Sequence, residues 1–89
     1  MSLFKYIDRV KTIHKLIEAE RTGTSDEFAA RVHISRSLLM EHLRELREVY
    51  NAPINYCRRR QTFYYSSAFR LRVDITAEID QVKGGQNSV

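Results

Sequence analysis

Thr24-Ser25-Asp26-Glu27 and Ser35 are two helix-start signals set so close that only Asp26 to Val32 can be helical between them. In the first, the Thr24 hydroxyl can accept from the Glu27 backbone N–H while the Glu27 carboxylate reaches back, a capping box, with Ser25 as a competing cap. Ser35 opens a longer helix that carries Leu39, Leu43 and Leu46 at four- and three-residue steps, with Tyr50 continuing the stripe. Two or three residues are then left for the turn between the second and third helices. Any fold for this chain must accommodate that tight turn.

A first helix is predicted from Leu3 to Glu20. Leu3, Tyr6, Ile7, Val10, Ile13, Leu16 and Ile17 recur at three- and four-residue steps, and charged residues fill the other face. Gly23 is the expected left-handed cap that ends it. Downstream, Asn51-Ala52-Pro53 is a turn, because proline cannot join the third helix and pushes Ala52 out of the α region. The period then changes to two. Ile54 to Arg58 and Thr62 to Ser66 read as a β-hairpin around Arg59-Arg60-Gln61, and the absence of glycine there calls for a longer loop. Phe69, Leu71, Val73 and Ile75 alternate with charged residues as a third strand would. Thr76 to Lys83 has room for a short helix, and the residues from Gly84 onward have no apolar periodicity. The chain therefore divides into one domain over 1–75 and a largely disordered tail over 76–89.

With 89 residues there is material for one small core, and no second domain or two-lobed enzyme fits. The apolar runs reach three or four residues, far below the ~18 that span a bilayer. One cysteine, Cys57, cannot form an internal disulfide, so a reducing compartment is expected. Lys and Arg number 15 against 11 acidic residues, for a net charge of +4, and most of the cations are arginine, which favours flat, bidentate anionic partners.

Three helices followed by a two- or three-stranded hairpin, with a short turn between the second and third, is the element order of a winged helix-turn-helix, an α+β fold. The stretch from Phe28 through Ala29-Ala30, Ile34, Ser35, Leu39 and Leu43 to Leu46 resembles the helix-turn-helix of bacterial DeoR-type and WYL-type regulators. Asn51-Ala52-Pro53-Ile54-Asn55-Tyr56, the arginines after it and Phe63-Tyr64-Tyr65 resemble the wing of the same family, so the likeness runs from Val10 to about Phe69. It implies a small residue at Ala29 or Ala30 where the helices cross and Ile34 plugging the turn. His33 replaces the usual glycine, which asks either a non-glycine residue to take positive φ or the turn to widen.

The resemblance also implies sequence-specific binding to double-stranded DNA. The start of the third helix would enter the major groove, and the wing would lie along the phosphates or in the minor groove. Carried over position by position, the DNA-binding candidates are Ser35, Arg36, Ser37, Leu38 and Glu41 on the helix, and Arg58, Arg59, Arg60 and Gln61 on the wing. Arg36 can make two hydrogen bonds to guanine, Ser37 can read a base edge or hold a phosphate, and Leu38 can touch a thymine methyl. The three arginines have no evident intrachain purpose. Glu41 stands where the family commonly has an arginine, and Arg36 to Glu48 is formally neutral. That neutrality also suits the alternative, a winged-helix adaptor that binds an acidic protein surface without reading DNA.

His14, His33 and His42 lack metal-ligand spacing and are expected at the surface or in turns. No general base accompanies Cys57, and no phosphate-binding glycine loop or carboxylate pair is present, so no enzyme activity, cofactor or metal is expected. Alternation should send about half of Tyr56, Phe63, Tyr64, Tyr65 and Phe69 into the core rather than onto a base-stacking platform. The expected protein is a small transcriptional regulator of the bacterial cytoplasm and nucleoid, with no membrane partner and no small-molecule effector. A homodimer is expected through Leu3, Phe4 and Tyr6 or through the free edge of the strand from Phe69 to Ile75.

Overall fold

The structure, a computed structural model, describes residues 2–72. Three helices, α1 (Leu3–Glu18), α2 (Ser25–Val32) and α3 (Arg36–Val49), precede a two-stranded antiparallel sheet of β1 (Ile54–Cys57) and β2 (Thr62–Tyr65). The chain is thus a small α+β fold.

Each helix begins on the side chain of a cap residue. The Ser2 Oγ accepts from the Lys5 N–H at 3.1 Å, and the Ser35 Oγ accepts from the Leu38 N–H at 3.1 Å. At α2 both halves of the capping box form: the Glu27 N–H donates to the Thr24 hydroxyl at 3.3 Å, and the Thr24 N–H donates to the Glu27 carboxylate at 2.8 Å.

The first helix stops before Gly23, and a glutamate ends it. Glu20 takes φ +57, which lets the Arg21 N–H reach the Leu16 carbonyl and the Glu20 N–H reach the Ile17 carbonyl, both at 3.0 Å. Gly23 serves α2 instead. At φ +74, a Cβ on it would stand 2.5 Å from Glu27 Oε1, so only glycine leaves room for the carboxylate that caps α2.

The turn between α2 and α3 closes as the sequence demands. His33 adopts φ +63 and ψ +42, with the Ile34 N–H bonded to the Ala29 carbonyl at 3.0 Å and the His33 N–H to the Ala30 carbonyl at 3.1 Å. Ala29 is buried and Ala30 exposed, so Ala29 supplies the small residue at the crossing. Asn51, at φ +56, ends α3. Tyr50 does not continue the apolar stripe: it lies beyond the last turn and is 37% exposed.

Ile13, Ile17, Phe28, Leu39, Leu43 and Leu46 form the centre of the core, and Ala52, Ile54 and Phe63 extend it to the sheet. The Phe28 and Phe63 rings meet at 5.6 Å. In the sheet Ile54 pairs with Tyr65 and Cys57 with Thr62, leaving the four residues from Arg58 to Gln61 as the turn. Gln61, at φ +51, provides the left-handed residue that glycine often supplies. The strand expected from Phe69 is absent over residues 69–72. Phe69 packs on the Tyr65 ring at 4.9 Å and on the His14 ring at 6.0 Å, and Leu71 rests against the core, so side-chain burial on α1 replaces backbone pairing with β2. The rest of that strand, the short helix at 76–83 and the tail at 76–89 lie outside the described residues.

A non-glycine residue in the left-handed region costs roughly 1–2 kcal/mol, part of which glycine gives back through its freer unfolded chain. His33→Gly is therefore expected to raise stability by up to about 1 kcal/mol, and His33→Val to lower it. The midpoint of urea unfolding measures both.

Candidate nucleic-acid interface

Because Leu39, His42, Leu43 and Leu46 turn one face of α3 into the core, the residues at its start stand outside it. Ser35, Arg36, Ser37 and Glu41 are exposed, and Leu38 is half-buried where α3 meets α1. The first turn of a helix carries backbone N–H groups without helical partners and the positive end of the helix dipole. Ser35 takes up the Leu38 N–H at this end of α3. The Arg36 guanidinium stands 3.5 Å from the Asp26 carboxylate of α2, with both side chains well exposed. A pair so open to water is weak and easily exchanged for another anion.

The turn from Arg58 to Gln61 is exposed throughout. Its three arginines are not equivalent. Arg60 has an intrachain purpose, contrary to expectation: it pairs with the Glu20 carboxylate beyond the end of α1 and lies over the Tyr64 ring, 5.5 Å from its centroid. Backbone and side-chain N–H groups of Arg60 also hold the Cys57 thiol below its ordinary pKa. Arg58 and Arg59 form no ion pair among the described residues. The structure gathers the candidates into two groups, Ser35 to Glu41 at α3 and Arg58 to Gln61 at the turn. No hydrogen bond or ion pair among the described residues joins the two groups.

Local sequence does not signal the acidic partners of Arg36 and Arg60, which are Asp26 and Glu20. Asp26 reads locally as a first-turn residue of α2, and Glu20 lies forty residues from Arg60, beyond the reach of any helical or strand spacing. A third cation acts in support, as the Arg47 Nε–H donates to the Ile54 carbonyl at 3.3 Å and ties α3 to the first residue of the sheet.

Two of the histidines depart from a surface or turn role. His14 is half-buried, with Nδ1 2.7 Å from the Tyr65 hydroxyl, and burial pushes its pKa down against the pull of Glu18. His42 is only 6% exposed, and its pKa is pushed down first by burial and then by Arg9, against Glu45 and Glu41. Among the aromatics, Phe63 is buried, Tyr64 and Tyr65 are half-buried and Tyr56 is exposed, which leaves no continuous stacking surface. No group of three metal-ligating side chains occurs among the described residues, and none of their helices is long and apolar enough to cross a membrane. Compared with known proteins, the chain matches no family model, no curated protein and no solved structure.

The depressed pKa values of His14 and His42 make stability depend on pH. Near pH 6 the unfolded chain, with histidines close to the ordinary 6.5, takes up protons that the folded chain resists. Stability is therefore complete above that value and falls as pH drops through it toward the folded-state values. A series of thermal melts between pH 8 and pH 5 is expected to show a falling Tm, and His14→Gln is expected to shallow that fall.

Proposed function

We propose that this chain is a winged helix-turn-helix module that binds double-stranded DNA and acts as a transcriptional regulator. The observation that carries the reading is the exposed start of α3, Ser35-Arg36-Ser37, presented by a left-handed turn at His33 immediately after a short second helix. In this reading Arg36 leaves Asp26 for a guanine edge or a phosphate, Ser37 reads a neighbouring base and Leu38 touches a thymine methyl. The β1–β2 turn is the wing, with Arg58 and Arg59 on the phosphates and Arg60 held in place by Glu20 as its brace. One recognition helix covers few base pairs, so two copies are expected on a site, and Leu3 and Phe4, 42% and 68% exposed, supply apolar surface for their contact.

A protein-adaptor role is the second reading. It is favoured by one observation: Arg36 and Arg60 are already paired within the chain, while Glu41, Glu45 and Glu48 keep α3 neutral.

Titration of duplex DNA by fluorescence anisotropy at several salt concentrations separates the two readings. Phosphate contacts give a steep salt slope of about 0.9 per contact, and an adaptor gives no saturable binding to duplex. Replacing Arg58 and Arg59 together by alanine is expected to weaken binding to all duplexes alike and to flatten the slope by about two units. Arg60→Ala is expected to change the slope less than either neighbour, because its charge is shared with Glu20. On a preferred site selected from random duplexes, Arg36→Ala is expected to cost about 1–3 kcal/mol while leaving nonspecific binding nearly unchanged. Equal losses on both would assign Arg36 to the backbone.

A further inference from the structure

The loop that follows α1 is held on both sides of Arg21. The Arg21 N–H donates to the Leu16 carbonyl at 3.0 Å, and its own carbonyl accepts from the Arg31 guanidinium of α2. The next residue, Thr22, is fully buried and hydrogen-bonded to Thr62 and Phe63 of β2. The side chain carried by this backbone is exposed, and it enters no hydrogen bond or ion pair among the described residues. A cation without a partner is thus mounted on a fixed base. Such a base lowers the cost of binding, because the loop has no backbone freedom left to lose.

Arg21 lines an open cleft of about 640 Å³ between this loop, α2 and the β1–β2 turn, together with Glu20, Glu27, Arg31, Arg60 and Gln61. Both carboxylates are already committed. Glu20 pairs with Arg60. Glu27 accepts the Thr24 N–H at 2.8 Å; that bond first, and the Thr24 hydroxyl second, hold its carboxyl below the ordinary pKa, with a smaller pull from Arg31 in the same direction. Three guanidiniums against two carboxylates leave one positive charge in excess, and it falls on Arg21. That excess favours an anion. A guanidinium offers two parallel N–H donors to a phosphate, and the Gln61 amide adds a neutral donor to the same cleft. The place in the fold indicates which anion. Thr22 is bonded to Thr62, the residue directly after the turn from Arg58 to Gln61, so Arg21 stands at the base of that turn. A duplex backbone, with phosphates at short regular intervals, reaches the turn and the loop together, whereas a small anion uses only one of them.

We propose that Arg21, in the loop after α1, is a phosphate contact for duplex DNA at the base of the wing, with Gln61 beside it. This rests on the DNA-binding reading of the chain and adds to it a stretch of backbone contact outside both α3 and the wing turn. Arg31 is a positioning residue here, since it holds the Arg21 carbonyl and spends its charge near Glu27. The other polyanion that the excess charge fits is an acidic segment of a protein, which the duplex titration separates from DNA.

The test is the salt titration of duplex DNA by fluorescence anisotropy, run on the full chain with Arg21→Ala, Arg21→Lys and, as a control of equal charge, Lys15→Ala, an exposed position of α1 outside the cleft. One lost phosphate contact flattens the slope by about 0.9 and weakens binding about eightfold at roughly 0.1 M salt, alike for all sequences. Arg21→Ala is expected to show that loss with the melting temperature unchanged, because the hydrogen bonds that fix the loop use its backbone alone. Arg21→Lys is expected to restore the slope, and Lys15→Ala to leave it close to that of the parent. An unchanged slope for Arg21→Ala, in a parent chain that binds duplex, overturns the contact and leaves the DNA-binding reading standing. Equal flattening by Lys15→Ala, which reports net charge rather than a contact, or a loss that lysine fails to restore, overturns it in the same way. If the parent gives no saturable duplex binding, the DNA-binding reading itself fails and the contact fails with it.

Discussion

The position of the sheet relative to the helices depends on two buried threonines. Thr22, in the loop after α1, is fully buried, and Thr62, the first residue of β2, is 3% exposed. The Phe63 N–H donates to the Thr22 hydroxyl at 2.8 Å, the Thr22 N–H donates to the Thr62 hydroxyl at 3.3 Å, and the two hydroxyls lie 3.2 Å apart. Carbonyls of Gly23 and Phe63 accept from the hydroxyls at 2.9 Å each. Polar groups buried this deeply are tolerable only when all of them are paired, and an unpaired donor would cost about 1–3 kcal/mol. The junction therefore admits one relative placement of loop and strand, and that placement puts Phe63 on Phe28 and brings Arg60 to Glu20.

What could be read from the sequence was mostly what is decided within four residues. The capping box at Thr24 and Glu27, the Ser35 cap and the apolar faces of α1 and α3 all depend on neighbours along the chain, and all three helices begin within a residue of their expected positions. At His33 the resemblance implies either a left-handed residue or a wider turn, and the structure takes the first, at φ +63. The end of α1 was not legible. Glycine is the usual left-handed residue, yet Glu20 takes that conformation while Gly23 is reserved for the close approach of Glu27. The third strand failed for a different reason: alternation at Phe69 and Leu71 reports that one side of the chain is apolar, and burial against His14 and Tyr65 satisfies that pattern without a ladder.

At the candidate interface, residue types were legible and their pairings were not. Exposure of Ser35 to Ser37 and of the arginine turn follows from cap and hairpin positions. The sharing of Arg60 with Glu20 depends on where the whole hairpin lands, and no spacing rule reports that. His42 is the instructive case. Leu39, Leu43 and Leu46 leave a vacancy at the intervening core-facing step, and His42 fills it; a histidine there was a signal of burial, outweighed by the frequency with which histidines lie at surfaces.

A neutral α3 changes what kind of DNA binding the proposed reading allows. Sequence-independent affinity comes from phosphate neutralisation, and with α3 neutral and Arg60 braced it falls chiefly to Arg58 and Arg59. Base contacts from Arg36, Ser37 and Leu38 then make up a larger share of the total than they would on a strongly basic helix. The carboxylates that lower affinity for all DNA also raise the penalty for wrong docking, since Glu41 beside a phosphate is repulsive whereas beside a cytosine amino group it accepts. Such a helix trades strength for discrimination, and a second copy on the same site restores the strength without adding charge to the reading face.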